Sequence, residues 1–237
     1  MAEVYSLVKS IREFGDNGLS SAIKEMSQLH DRICWKPRTL ESLTHEERQK
    51  ALESMLFLTP KRDGTIKGRT VAIGSKQHAW TQKGDASSPT VGLASVFLTG
   101  VQEAKEQRIV TVVDIPNAFV ITDHEGAPTV IMKIKGKVAE ILIQLHPEVY
   151  KEYAVYENGV LTLYVEILKA LYGLIEAPLL WYRRLRSDLL KDGFTINPYD
   201  PCVANKMVNG KQLTVTWHMD DLKVSHVEEK VVEDFIK

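Results

Sequence analysis

The chain is 237 residues long and carries 30 basic against 31 acidic residues, for a formal net charge of −1 at pH 7. This balance excludes bulk attraction to nucleic acid, so any such binding must come from local patches of charge. No apolar run approaches the roughly 18 residues of a membrane helix. Cys34 and Cys202 are expected to be buried and reduced. The seven histidines show no spacing typical of a zinc site.

The N-terminal segment, residues 1–56, is predicted to be a helical lead-in. Within it, Thr44 followed by Glu47 resembles a capping box that opens a helix. Two β-prone runs come next, joined by Asp63-Gly64. An Asp-Gly pair between such runs predicts a β-hairpin.

The predicted hairpin and its flanks, residues 57–84, form a basic patch. His78 and Trp80 are interleaved with the cations, as expected of a surface that contacts phosphates and stacked bases. The alternative is a solvated hairpin whose lysines protect an exposed edge. Against the single acid Asp63, the patch holds the basic residues Lys61, Arg62, Lys67, Arg69, Lys76 and Lys83.

The second half of the chain mixes helices and antiparallel hairpins. A helix is predicted over residues 91–107, and a second over Leu174–Asp192, where apolar residues recur every four positions. Asn209-Gly210 lies between two β-prone runs and predicts a two-residue hairpin turn. Because strands and helices do not alternate regularly, the fold class predicted is α+β.

Three acidic residues follow two of the β-prone runs. Asp114 comes directly after Ile109 to Val113, and the pair Asp220-Asp221 follows the run that ends at Trp217. A single Asp at a strand end is most often a turn residue. An adjacent acidic pair repels itself, however, and a cation relieves that repulsion. Together the three carboxylates predict a site for two divalent cations such as Mg²⁺.

Four motifs in order give the chain a resemblance to a known family. They are Arg-Thr-Val-Ala at 69–72, Asp-Ile-Pro-Asn-Ala-Phe at 114–119, Ala-Leu-Tyr-Gly-Leu-Ile-Glu-Ala-Pro at 170–178 with Trp181, and His-Met-Asp-Asp at 218–221. The series resembles the reverse transcriptases of copia-type polyproteins from long-terminal-repeat retrotransposons.

The resemblance implies a fold, an activity and partners. Residues 57–237 would form the fingers and palm of a right-hand polymerase, with an antiparallel palm sheet backed by helices. The activity implied is RNA-directed DNA polymerase, a nucleotidyltransferase that uses Mg²⁺, with Mn²⁺ as an alternative ion. The implied partners are an RNA or DNA template with its primer, deoxynucleoside triphosphates, and the thumb and RNase H of the same polyprotein. No membrane partner is expected, and the implied location is the cytoplasm, inside a virus-like particle.

The resemblance also assigns catalytic and metal-binding roles. Asp114, Asp220 and Asp221 match the catalytic carboxylates, of which Asp220 should be the indispensable member of the adjacent pair. The backbone carbonyl of Ile115 matches the remaining metal ligand. Since adjacent residues of a regular strand face opposite ways, Asp220 and Asp221 can share a site only if the chain turns there.

Five further positions match the nucleotide-binding residues of the family. Arg69 corresponds to the fingers arginine that grips the triphosphate, and Lys67 is a second candidate. Phe119 corresponds to the steric gate that excludes a 2′-hydroxyl, although without the family a core Phe would be the preferred interpretation. Tyr172 and Gly173 match the motif that lines the nucleotide pocket. Gly173 is expected to let the backbone approach the ligand, or to serve as a simple turn glycine.

Departures from the family pattern define the alternatives. His218 replaces the usual Tyr and, with Met219, is expected to contact the primer terminus, while Pro116 replaces a commoner Lys. Because the chain ends at Lys237, soon after Asp221, the thumb, RNase H and integrase are expected to be absent.

Two alternatives to an active polymerase therefore stay open. The first is a catalytically inactive, nucleic-acid-binding remnant of such a polyprotein. The second is a metal-dependent phosphohydrolase. No obvious His or Lys general base accompanies the acids in the sequence, which counts against the phosphohydrolase.

Overall fold

The computed structural model describes residues 5–237, apart from the side chains of residues 5, 6, 8–12 and 83. The first four residues of the predicted helical lead-in therefore lie outside the described part. Short 3-10 turns cover Leu40–Ser42, Gly74–Ala79 and Lys151–Tyr153. The α-helices are α1 (Leu7–Asp31), α2 (His45–Lys50), α3 (Lys83–Ala86), α4 (Leu93–Glu106), α5 (Lys137–Leu145), α6 (Pro147–Tyr150), α7 (Ala177–Lys191) and α8 (Glu229–Ile236).

The strands belong to two separate sheets. They are β1 (Tyr5–Ser6), β2 (Trp35–Arg38), β3 (Leu52–Pro60), β4 (Ile66–Ala72), β5 (Ile109–Asp114), β6 (Ile131–Lys135), β7 (Val155–Glu157), β8 (Val160–Ile167), β9 (Thr195–Ile196), β10 (Val203–Val208), β11 (Lys211–His218) and β12 (Asp221–His226).

The chain divides into two compact units, each with its own sheet. Unit 1 comprises Met1–Ala86 and Phe119–Ala177, and unit 2 comprises Ser87–Ala118 and Pro178–Lys237. This mixture of helices with largely antiparallel sheets confirms the predicted α+β class. Within the described residues, no helix is both long and apolar enough to cross a membrane.

Unit 1 is built on the sheet with the order β1-β3-β6-β8-β2, to which β4 and β7 are added. Helix α1 packs against β3 and β4, and α5 packs against α1. Gly15, at φ +54 and ψ −134, interrupts α1 and turns the chain between its two halves. The buried side chains at the centre of this unit include Met26, Leu52, Met132, Leu142 and Leu163.

The helical prediction for the N-terminal segment is correct only in part. The capping box at Thr44 is present and opens α2, as predicted. Residues 35–38 and 52–56 are strands, however, and the prediction is wrong for both. Strand β2 pairs with β8, and β3 pairs with β4 and with β6. The partners β8 and β6 are distant in sequence, and β4 follows β3 through the hairpin turn, so strand pairing overrides the helical propensity of segments such as Ala-Leu-Glu-Ser-Met-Leu.

The predicted basic hairpin is present as β3 and β4. Its turn contains Gly64 at φ +80, and the Asp63 carboxylate accepts hydrogen bonds from the backbone and hydroxyl of Thr65. These local bonds hold the turn. The cationic side chains of Lys61, Arg62, Lys67, Arg69 and Lys76 are exposed, as is Trp80.

Unit 2 is built on an antiparallel sheet with the order β5-β12-β11-β10-β9. The predicted Asn209-Gly210 turn joins β10 to β11, and both residues have positive φ, at +50 and +72. Positive φ at both central residues is the requirement of a type I′ hairpin, which Asn-Gly meets at little cost.

Helices α7 and α8 cover one face of this sheet. The stripe predicted for α7 is buried, with Trp181, Leu185 and Leu189 all inside. Leu185 and Leu189 line a cavity of about 420 Å³ together with Val113 of β5 and Leu222 of β12. Since successive strand residues alternate between faces, the neighbours of Val113 and Leu222 face away from these helices.

Candidate functional site

The carboxylates of Asp114 and Asp221 come from two adjacent strands of unit 2. In the antiparallel ladder between β5 and β12, Asp114 is the direct partner of Asp221, and the next pair is Val113 with Leu222. Directly opposed residues point to the same face, with Cβ atoms about 4.5–5.5 Å apart. Asp114 and Asp221 are both exposed and lie on the face opposite α7 and α8, where Lys223 of β12 bonds to Thr99 and Glu103 of α4.

Asp220 lies in the tight turn between β11 and β12. The strands end at His218 and resume at Asp221, which leaves Met219 and Asp220 as the two turn residues. Met219 has φ +59, a left-handed conformation that is uncommon for a residue with a side chain. The turn therefore interrupts the alternation of side chains between the two faces of the sheet. Asp220 and Asp221 can share a site only with such an interruption.

Two hydrogen bonds fix this turn within unit 2. The backbone N–H of Ile115 donates to the carbonyl of Asp220 over 3.2 Å, which ties the end of β5 to the turn. The indole N–H of Trp181 donates to the carbonyl of Met219 over 2.8 Å. Trp181 was expected only to fill the core. Its buried N–H instead needs a partner and finds one in the turn, so it also positions the acidic pair.

The donor set of this carboxylate centre, defined as Asp114, Asp220 and Asp221, fits divalent cations. Three carboxylates offer the hard oxygen ligands that Mg²⁺ and Mn²⁺ take in proteins. Ligand atoms of the three do not all lie within 4.8 Å of one another. The Ile115 carbonyl accepts a 3.3 Å bond from the N–H of Ala118 and keeps a second lone pair for a cation.

His218 lies beside the acidic pair. It is the ladder partner of Asp221 across the hairpin, and its side chain is exposed. The hairpin turn brings the end of β11 beside the start of β12.

In unit 1, strand β4 presents Lys67 and Arg69 to solvent. The intervening Gly68 and the following Thr70 are buried against α1. A Cβ atom added to Gly68 would lie 3.0 Å from the Cβ of Glu25, and the Thr70 N–H donates to the Glu25 carboxylate over 2.8 Å. Helix α1 thus fixes which face of β4 is buried, and the two cations share the other face.

Two of the predicted nucleotide-binding side chains of unit 1, Arg69 and Phe119, both contact a third, Tyr172. The Arg69 guanidinium carbon lies 4.6 Å from the centroid of the Tyr172 ring, in the range of a cation–π contact. The Phe119 ring meets Tyr172 edge to face, with centroids 5.0 Å apart and planes at 81°. Phe119 is only 8 % exposed. We call Arg69, Tyr172 and Phe119 the arginine–aromatic cluster.

Gly173 makes its close approach to the protein's own backbone. Its φ is +91, and an added Cβ would lie 2.0 Å from the carbonyl oxygen of Ala72 at the end of β4. The preceding carbonyl, that of Tyr172, accepts a 2.8 Å hydrogen bond from the N–H of Ala72. Glycine is therefore required here so that the Tyr172 loop can lie against the strand that carries Arg69.

A buried polar network holds the other end of the same loop. The Glu176 carboxylate accepts hydrogen bonds from the Gln77 amide, at 2.9 and 3.1 Å, and lies 2.9 Å from Nε2 of His124. The Gln77 side-chain oxygen accepts from the N–H of Ile175 over 3.1 Å. Sequence reasoning did not find this network, because its members are far apart in the chain and carry no shared motif.

We expect Glu176→Gln to remove part of the acid sensitivity of folding. Burial acts to raise the pKa of Glu176, but hydrogen bonds from His124, its own backbone and Gln77 outweigh burial and lower the pKa below 4.5. A lowered pKa means that the ionised carboxylate stabilises the fold above about pH 4.5, and that this contribution is lost as pH falls further. The free energy of unfolding of the variant should be lower by about 1–3 kcal/mol at pH 7. It should also fall less steeply than that of the unsubstituted chain as the pH is lowered.

Urea unfolding measured at intervals between about pH 7 and pH 3 would check this. Glu125→Gln is the matched control, since it removes the same charge from an exposed position in the same unit. If the two variants showed the same pH profile, the buried network would not be the source of the acid sensitivity.

Comparison with known proteins places the chain in a family. Residues 46–237 match the family model described as "Reverse transcriptase (RNA-dependent DNA polymerase)". Two relatives are the Transposon Ty1-LR2 and Transposon Ty1-ML2 Gag-Pol polyproteins of Saccharomyces cerevisiae. Each is 26 % identical over 168 residues, which cover 71 % of this chain and 8 % of the relative. The chain thus spans about 8 % of the length of these relatives.

The family match covers most of the chain and includes all four motifs noted in the sequence, and the relatives are Gag-Pol polyproteins of Ty1 transposons. The chain therefore belongs to the reverse transcriptase (RNA-dependent DNA polymerase) family, as a domain of the copia-type retrotransposon polyproteins.

Proposed function

We propose that residues 57–237 form the fingers and palm of an RNA-directed DNA polymerase that adds deoxynucleotides to a primer 3′-hydroxyl. The observation that carries the proposal is the ladder pair Asp114–Asp221, with Asp220 in the adjoining turn. Family membership supports the same reaction. Unit 2, an antiparallel sheet whose face opposite α7 and α8 carries Asp114 and Asp221, supports its assignment as the palm.

In this proposal the carboxylate centre holds two divalent cations, Mg²⁺ or Mn²⁺, together with the carbonyl of Ile115. Such ions lower the pKa of a hydroxyl nucleophile and neutralise charge that develops on phosphate oxygens. The protein orients the ligands through the turn that Trp181 fixes. By the family resemblance, Asp220 is the indispensable member of the adjacent pair.

The arginine–aromatic cluster binds the incoming deoxynucleoside triphosphate. The Arg69 guanidinium can pair with phosphate oxygens in a bidentate fashion, and Lys67 on the same face of β4 adds a second cation. Tyr172 presents aromatic surface beside that charge, as a nucleoside requires, and the largely buried Phe119 packs edge to face on Tyr172. Gly173 contributes indirectly, since it allows the Tyr172 loop to pack on β4.

The polymer substrates are an RNA or DNA template and its primer. His218 and Met219 lie beside the acidic pair and contact the primer terminus in this proposal. The exposed cations of the β3–β4 hairpin and Trp80 contact template phosphates and bases. The thumb and RNase H of the polyprotein are the protein partners, and the proposed location is the cytoplasm, inside a virus-like particle.

Primer extension tests the proposal. The chain is incubated with an RNA template, a labelled DNA primer, the four deoxynucleoside triphosphates and Mg²⁺, alone and with the downstream polyprotein segment. We expect Mg²⁺-dependent extension that is stronger with the downstream segment. Salt-sensitive binding of primer–template without extension in either setting would instead support the inactive, nucleic-acid-binding remnant.

Hydrolysis is the second candidate reaction, and one observation favours it. His218 lies opposite Asp221, and an imidazole beside a metal-binding carboxylate can serve as a general base for water. Release of phosphate or pyrophosphate from a nucleotide without primer, abolished by His218→Gln, would support a phosphohydrolase. The polymerase proposal predicts no such release above the rate seen with Asp114→Asn.

We expect Phe119→Val to relax sugar selection. If Phe119 stands under the sugar, removing its ring opens space for a 2′-hydroxyl, and the preference for deoxy- over ribonucleotides should fall by about 10–100-fold. The measurement is the ratio of single-nucleotide incorporation efficiencies. Phe194→Val is the matched control, because Phe194 is a buried Phe of unit 2 that packs on Phe235. An equal effect of both variants, or loss of stability as the only effect of Phe119→Val, would contradict the gate assignment.

A further inference from the structure

We propose that His30, Asp31 and His146 form a binding site for a divalent transition-metal ion, with Zn²⁺ as the expected ligand. Each residue offers one ligand atom, and the three atoms all lie within 4.8 Å of one another. All three belong to unit 1. Two imidazoles and one carboxylate are a donor set that Zn²⁺ accepts in proteins, with a fourth position left for water. Within the part of the chain that the structure describes, no other trio of His, Cys, Asp or Glu ligands is this compact.

A hydrogen-bond chain orients the ring of His30. Its Nδ1 lies 2.8 Å from the hydroxyl of Tyr150, and the same hydroxyl oxygen accepts a 3.1 Å bond from the indole N–H of Trp35. Tyr150 and Trp35 are both buried. Histidines that bind metals commonly make such a bond through the nitrogen that is not bound to the ion. These hydrogen bonds therefore leave Nε2 of His30 as the atom that binds the metal ion.

The backbone around the cluster also favours a cation. His30 is in the last turn of α1, and His146 is the C-cap of α5, where its N–H donates to the carbonyl of Leu142. Helix C-termini carry partial negative charge. Asp31 adds a full negative charge, and the Glu148 carboxylate lies 3.8 Å from Nδ1 of His146.

Ring geometry decides which side chain has to move. The His30 and His146 rings are stacked, with centroids 3.6 Å apart and planes at 20°. A metal ion lies near the plane of each imidazole that binds it, so two stacked rings cannot both bind one ion. His146 is the ring expected to turn, because its Nε2 is buried without a hydrogen-bond partner among the described residues, whereas His30 is held by the hydroxyl of Tyr150. Binding should therefore open the stack.

The test is a titration with zinc chloride of a variant that lacks the other candidate metal-binding side chains. Asp114→Asn together with Asp220→Asn removes the carboxylate centre, which would otherwise bind divalent ions. The thiols of Cys34 and Cys202 are both buried, and burial raises the pKa of each to about 12. Calorimetry should show one tight site per chain, and thermal unfolding should shift upward with added Zn²⁺.

His30→Gln and His146→Gln, each made in that background, should weaken Zn²⁺ binding by about tenfold or more. His45→Gln is the matched control, since His45 is exposed on α2 of the same unit. As a second measurement, nitrogen NMR of the histidine rings in the unsubstituted chain should show Zn²⁺ shifting His30 and His146 but not His45. Absence of Zn²⁺ binding, or binding that shifts neither His30 nor His146, would overturn the proposal.

Discussion

Asp114→Asn should abolish Mg²⁺-dependent primer extension while leaving the fold unchanged. The substitution keeps the volume of the side chain but removes one of the charges that attract divalent cations. A metal ion contributes several kcal/mol to the stabilisation of the transition state, so extension should fall by about 10³-fold or more. Asp114 is exposed at the end of β5, and its loss should therefore cost little stability. The measurement is single-turnover extension of a labelled primer.

Two comparisons make this result specific. Asp234→Asn removes an exposed carboxylate from α8 of the same unit and should extend primer at the unsubstituted rate. Asp220→Asn should be as inactive as Asp114→Asn, and Asp221→Asn should retain more activity. Full extension by Asp114→Asn would contradict the two-metal assignment, as would equal loss in Asp234→Asn.

Gly173→Ala should strongly destabilise unit 1. The residue has φ +91, which costs a side-chain-bearing residue about 1–2 kcal/mol. The added methyl would also lie 2.0 Å from a backbone oxygen of Ala72, so the loop and the end of β4 must separate. We expect a total loss of about 3 kcal/mol or more in the free energy of unfolding.

Gly64→Ala separates the two causes of that loss. Gly64 has φ +80, but an added methyl there meets nothing within 4 Å. It should lose only the conformational contribution of about 1–2 kcal/mol in urea unfolding. Equal losses in the two variants would show that the contact between the Tyr172 loop and β4 carries no stability.

Local signals in the sequence predicted the parts of the site that local chemistry determines. The Asp-Gly and Asn-Gly turns, the capping box at Thr44 and the helix α7 all follow from neighbours a few residues apart. Because each acid follows a β-prone run, the sequence predicted that Asp114, Asp220 and Asp221 converge, but it did not predict the register that pairs Asp114 with Asp221. The meeting of Arg69, Tyr172 and Phe119 was suggested by family resemblance alone.

What the sequence could not reveal depends on contacts between distant residues. Strand β2 is four residues long and is a strand because β8 pairs with it. The network of Gln77, His124 and Glu176 joins three segments that share no motif, and the cluster of His30 and His146 spans two helix ends. Spacing rules for metal ligands consider only residues close together in the sequence, so they do not detect a cluster such as that of His30, Asp31 and His146.

Anomalous diffraction from crystals grown with Mn²⁺ and a deoxynucleoside triphosphate tests the central claim most directly. The proposal predicts two Mn²⁺ peaks about 3.5–4 Å apart, bound by Asp114, Asp220 and Asp221. The Ile115 carbonyl should bind one of the two ions, and the nucleotide phosphates should bridge them. Mn²⁺ bound elsewhere, or a single ion that leaves Asp220 without contact, would contradict the two-metal assignment.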